Sequence, residues 1–298
     1  NIIGGFTDAF HFYPIIVQGN MATIYPHNNM LEYDKKYYVT IDKGVINLPD
    51  GSFDGVGQEH EWIFATKKSA PASMDTLVVD CNGNGDFNTV QGALDFIPDF
   101  ATNPTVILVQ PGDYEELVYA RNKSNVKIKG AGMGQTKVHY ANNEVFNPHP
   151  LTVKTNEWPG TFPSRRAAFM LDNCNDIVLE DITIATDLFG QAEGLLLNGE
   201  RIALYRVHII GSGDALQANG TIYMESCEMD GGGDTILGRG SVFAYRSNFR
   251  NGGGPFSWVR NTAGNHGDVF VECTFSTNNG RMADYGRTHT NHGTSYPD

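Results

Sequence analysis

Two Gly-Asp frames stand 20 residues apart in this chain, with one short apolar run between them. Gly213-Asp214-Ala215-Leu216 is followed by Gly233-Asp234-Thr235-Ile236. Segments 201–209 (RIALYRVHI), 221–229 (TIYMESCEM) and 241–249 (SVFAYRSNF) align in phase, and 177–184 and 268–275 extend the series. One marked position runs through Ile182, Val207, Cys227, Ser247 and Cys273, in steps of 25, 20, 20 and 26 residues. Periods of this size belong to stacked repeats, each burying its apolar face against its neighbours. The runs are too short for amphipathic helices, and Gly, Asn and Asp punctuate them. The pattern therefore predicts an all-β, right-handed parallel β-helix with one coil per repeat.

In such a stack, adjacent coils lie about 4.8 Å apart and residues one repeat apart share a face. Asp214 and Asp234 are then expected as neighbours on the outer surface, with carboxyl groups roughly 4–7 Å apart. Like charges that close repel, so one carboxyl keeps its proton while the other ionises, which suits an acid–nucleophile pair. The competing reading is two Asp residues that hold turns, the usual role of Asp after Gly.

Several further stretches recur in the same order as in the pectin methylesterase family of carbohydrate esterases. Gly83-Asn84-Gly85-Asp86-Phe87-Asn88-Thr89-Val90-Gln91-Gly92-Ala93 resembles the family's opening Gly-Asp-Phe-x-Thr-Val-Gln-x-Ala signature. Val109 to Glu116 and Val126 to Gly132 resemble the two elements that follow it. Gln191-Ala192-Glu193-Gly194-Leu195 is similar to the family's Gln-Ala-Val-Ala-Leu, and Gly213 to Gln217 to its Gln-Asp-Thr-Leu-Tyr. Asp234 to Gly238 is similar to its Asp-Phe-Ile-Phe-Gly, and Tyr285-Gly286-Arg287 to the Arg-containing Leu-Gly-Arg-Pro-Trp. The resemblance covers about residues 77–298.

It implies Asp234 as nucleophile on the methyl ester of a galacturonate unit and Asp214 as acid, then base. Arg287 would orient Asp234, with Arg281 the competing placement, and Gln191 would donate to the oxyanion. Gln217 and Thr235 stand at positions where the resemblance implies substrate contacts; Trp158 and Trp258, in loops off the repeat, are read as candidates to stack on a sugar, with a packing role the alternative for each. The substrate would be pectin, met by a secreted or extracellular monomer with no metal or organic cofactor. The chain also departs from the family. Gly213 stands where an oxyanion Gln is expected, and a Gln restored there is expected to be tolerated or activating. Gln217, Thr235 and Leu237 replace aromatic residues, and His289 stands near the expected Trp.

The formal charge of −13 disfavours nucleic acid and anionic membranes as partners, but not a highly methylated, nearly neutral polymer. No apolar run approaches the 18 or so residues of a membrane span. Residues 1–70 carry β-type runs at 22–25, 36–41 and 62–66 and resemble a bacterial Ig-like module, expected to be incomplete at its N-terminus. Residues 67–73 read as a linker, and 71–298 as the catalytic β-helix, expected to be truncated at its C-terminus for want of a closing cap. Asp80 to Asp86 mimics half an EF-hand loop but reads as a turn into a capping helix over 89–97. The four cysteines have no metal spacing and read as small buried hydrophobes. Residues 139–170 interrupt the repeat, and 252–258 read as a second loop.

Two rivals remain at this level. A pectate-lyase-like β-helix would recruit Asp230 and Asp234 for calcium, with Arg239 nearby as base. A non-catalytic carbohydrate-binding β-helix would explain the missing Gln and aromatic residues. Neither a zinc pattern nor a serine-elbow motif occurs in the sequence.

Overall fold

A computed structural model of the chain describes residues 15–24, 31–49, 51, 53–57, 62–143, 166–259, 266–278 and 286–288. Parallel strands stack into three long ladders, and the chain visits the ladders in turn. The first ladder holds Thr76–Val79, Thr105–Val109, Ser124–Lys129, 177–180, 202–205, 222–225, Ser241–Tyr245 and Asp268–Val271. The second holds Gly112–Glu115, Thr136–Tyr140, 183–186, 208–210, Glu228–Gly231, Asn248–Asn251 and Thr274–Thr277. The third holds Val118–Arg121, Phe169–Asp172, 195–198, 216–219, Ile236–Gly238, Ser257–Val259 and Gly286–Thr288. This is a parallel β-helix.

The marked repeat position keeps its place in the coils. Ile182 pairs with Val207, the Cys227 N–H donates to Ser247 Oγ, and Thr274 N–H to Ser247 O. Alternation explains the core, because inward positions repeat on every coil. Ile177, Ile202, Ile222 and Val242 form one fully buried row, and Leu195, Leu216 and Ile236 another. Cys174 and Cys227 sit in this core as expected, whereas Cys81 is exposed and Cys273 only partly buried; all four are free thiols.

A stack of turns between the first and second ladders fixes the register. Asp181, Arg206, Ser226, Arg246 and Glu272 all adopt left-handed backbone, with φ between 49° and 56°. Each such non-glycine residue is strained by roughly 1–3 kcal/mol, and pairing between coils offsets it. Arg206 Nε meets Asp181 Oδ1 at 2.6 Å, and Arg246 Nε meets Glu272 Oε2 at 2.8 Å. Nothing in the hydrophobic pattern marks these positions.

One helix, Val90–Phe96, covers the end of the stack that begins at Thr76–Val79 and buries Val90, Ala93 and Leu94 against it. Thr89 caps it, its side chain accepting the Gly92 N–H at 3.0 Å. Glu116 Oε1 and Oε2 accept the N–H groups of Val90 and Gln91 at 2.8 and 2.9 Å, which ties the helix to the coils.

Some sequence expectations shift. Thr136–Tyr140 and Phe169–Asp172 are regular strands, so the interruption is shorter than 139–170. Ser257–Val259 is a strand of the third ladder, not part of a loop, because its register continues that of Ile236–Gly238. Near the N-terminus, Ile15–Gln18 pairs antiparallel with Met21–Ile24, and Lys36–Tyr38 with Ile63–Ala65.

Candidate active site

The segments that lead from the second ladder into the third are glycine-rich, and they stack directly on one another. Gly233 N–H donates to Gly213 O, Gly211 N–H to Asp230 O at 2.8 Å, and Ser212 N–H to Ala192 O at 3.0 Å. A Cβ on Gly213 would lie 2.7 Å from the Gly190 carbonyl oxygen and 3.0 Å from the Gln191 Cα. Only glycine allows so close an approach of main chain to main chain. The expectation that a glutamine fits at position 213 is therefore corrected. Stacking of the coils has closed the space that a side chain would need.

Each of these turns delivers an acidic residue to the same place. Leu195, Leu216 and Ile236 are register partners, so Glu193, Asp214 and Asp234, two residues before each, form one row over three successive coils. Asp214 Oδ1 accepts the Asp234 backbone N–H at 3.0 Å, so the two Asp residues are in contact as the spacing predicted. They are not on an open surface, however. Asp214 and Asp234 are each 5 % exposed, and Glu193 is fully buried.

Arg166, just before the strand Phe169–Asp172, brings the one described cation into this group. Its Nη1 donates to Gln191 Oε1 at 3.0 Å, its Nη2 pairs with Glu193 Oε1, and the same Nη2 stays 3.5 Å from Asp214 Oδ2. Burial pushes the Asp214 carboxyl up from 3.8 to about 7, and the negative charges of Glu193 and Asp234 add to the rise. Arg166 and the Asp234 N–H pull the other way without cancelling it. Asp214 is thus built to hold a proton near neutrality.

The remaining expected residues fare differently. Gln191 is brought to the site, exposed, and in contact with Arg166. Gln217, expected at the surface, is fully buried in the row Leu196, Gln217, Leu237, Trp258, and neither amide atom has a hydrogen-bond partner among the described residues. Thr235 is corrected as a substrate contact. It is fully buried, and its Oγ1 accepts from Asn251 Nδ2 at 2.9 Å, so its hydroxyl serves the turn. Trp258 is partly exposed beside Leu237. Arg287 pairs through its backbone with Trp258, and its side chain lies outside the described residues, as do Trp158, Arg281 and His289. Asp230 is committed elsewhere, with both oxygens held by Arg250 and Oδ2 also 2.7 Å from His208 Nε2. That arrangement commits one of the two carboxylates, Asp230 and Asp234, that the lyase reading would recruit for calcium.

Sequence reasoning missed Arg166 and Glu193. Glu193 carried a usable signal: an acid inside the run Ala192 to Leu197, 21 residues before Asp214, where the resembled motif has Val. Arg166 carried none, since it lies in the stretch read as an interruption.

Fold and site define a parallel β-helix that carries two contacting Asp residues on adjacent coils, one of them set to hold a proton near neutrality. A family model described as pectinesterase matches residues 76–288, and the chain belongs to that family. Pectinesterase QRT1 of Arabidopsis thaliana is 30 % identical over 170 residues, covering 54 % of this chain and 43 % of its own. The chain spans about half the length of the first curated relatives it matches. A pectin methylesterase structure from Aspergillus niger aligns at a TM-score of 0.59 and 18 % identity, over 73 % of this chain and 74 % of that one. One from carrot aligns at 0.57 and 21 %, over 70 % and 65 %. These two structural likenesses concern the fold.

Proposed function

We propose that this chain hydrolyses methyl esters of galacturonate units in pectin. The observation that carries the reading is the Asp214–Asp234 contact across adjacent coils, with Asp214 set to keep a proton near neutral pH. Asp234 attacks the ester carbonyl carbon, and the C–O bond to methoxide breaks as Asp214 gives up its proton. Methanol leaves and an acyl-enzyme anhydride remains. Asp214, now a base, takes a proton from water, which attacks the acyl carbon and returns Asp234 as a carboxylate. Gln191 supplies an amide N–H to the oxyanion, and Arg287 orients Asp234. Trp258 gives a sugar ring an aromatic face.

A net charge of −13 favours the methylated polymer over its charged product. The protein would act on this polymer outside the cell, as a monomer. Residues 1–70 act as an Ig-like module attached to the β-helix.

The test is product analysis on highly methylated pectin, with and without a chelator. Methanol release that persists in the chelator supports the reading. An unsaturated product absorbing in the ultraviolet, lost on chelation and restored by calcium, would replace it with the lyase. Binding without turnover of any ester would replace it with a carbohydrate-binding β-helix.

A further inference from the structure

Among the described residues, three carboxyl groups and one guanidinium share this site, and how they are paired decides its chemistry. An arginine has donors only, so the group that Gln191 turns toward Arg166 is its oxygen. The amide NH2 is thereby left as the end that points away from Arg166 and is able to donate. Glu193, fully buried, takes the shorter of the two carboxylate contacts to Nη2, and Asp214 Oδ2 is left at 3.5 Å. A guanidinium bound directly to Asp214 would hold that carboxyl ionised and remove it as an acid.

Given the esterase reading of the Asp pair, we propose that Arg166 and Glu193 are positioning residues for it. Arg166 sets the Gln191 amide with its NH2 toward the substrate oxygen, and Glu193 holds the guanidinium off Asp214. The charged groups that face Asp214 among the described residues are Glu193 and Arg166 on the side of the preceding coils, and Asp234 on the following one. Removing the Glu193 charge releases Arg166 toward Asp214, and the carboxyl loses its proton at lower pH. Removing Arg166 does the opposite and also frees the Gln191 amide to rotate.

Glu193→Gln, Arg166→Lys and the charge-balanced pair Arg166→Met with Glu193→Gln test this, the last because a lone Arg166→Met leaves Glu193 buried without its partner. Two readouts are taken on each variant. The first is titration of the Asp214 carboxyl by carbon NMR, which needs no turnover. The second is kcat and KM for methanol release as a function of pH. Glu193→Gln is expected to move the Asp214 titration, and the alkaline limb of the rate profile, to lower pH by about one unit, within the range that neighbouring charges produce. Arg166→Lys keeps the charge but cannot span both partners, so kcat should fall about tenfold or more, toward the range of a lost oxyanion donor, with KM little changed. The double variant should show the same kcat loss.

An Asp214 titration that stays put in Glu193→Gln overturns the role of Glu193. A kcat that stays at the wild-type value in both Arg166→Lys and the double variant overturns the role of Arg166. Methanol release that ignores Asp234→Asn would sink the esterase reading instead, and the NMR titration would still report on the pair.

Discussion

Asp214→Asn should make the folded protein more stable at alkaline pH while it lowers activity. In the native site the carboxyl titrates at about 7 rather than 3.8, because it is buried beside Glu193 and Asp234. A raised native pKa means that the folded protein holds a proton which the unfolded chain has already released. The stability this contributes is fully present below about pH 4 and is lost as pH rises through about 7. Between pH 5 and pH 8 the wild type should lose about 2–3 kcal/mol on this account, from about 1.4 kcal/mol for each unit of displacement. Asparagine is uncharged throughout, and its Oδ1 can still accept the Asp234 N–H. The advantage of the variant in urea unfolding should therefore grow by that amount from pH 5 to pH 8, at unchanged m-value. Turnover should drop by about two to four orders of magnitude, the usual range for lost acid–base help. A difference in stability that is flat across this pH range would refute a buried, proton-holding Asp214.

Gly213→Gln should destabilise the protein by about 1–3 kcal/mol, the range for overpacking, since its Cβ would press on the Gly190 oxygen at 2.7 Å. Thermal unfolding checks this, and a variant as stable as wild type would show that the turns can part. Gln191→Ala should reduce kcat by about 10²–10³, as for a lost oxyanion donor, and more than Gln217→Ala does. Steady-state kinetics of the two variants side by side would reverse the assignment if Gln217→Ala alone collapsed kcat.

Much of this molecule is written in its repeat. Ile182, Val207, Cys227 and Ser247 keep one position in the coils because each coil must bury the same inward side chains. The Asp pair was legible for the same reason: a fixed period places residues side by side. What the repeat does not encode is depth. Thr235 and Gln217 looked like surface positions, yet both are fully buried, since exposure depends on what neighbouring coils and segments lay over them. The tolerance of position 213 was misread for a related cause, as close contact between main chains leaves no mark on the hydrophobic pattern. Arg166 was out of reach because an arginine in an irregular stretch has no periodicity to place it. Glu193 was within reach, being the third acid of a row whose other two members had been identified.

Whether Asp234 performs the chemistry is decided by methanol release from highly methylated pectin, measured for wild type and Asp234→Asn. Asparagine nearly matches the shape of the side chain, so the fold should survive in this 5 %-exposed position. Steady methanol release is expected from the wild type and none above background from a folded Asp234→Asn. Equal rates from the two proteins would contradict that role for Asp234.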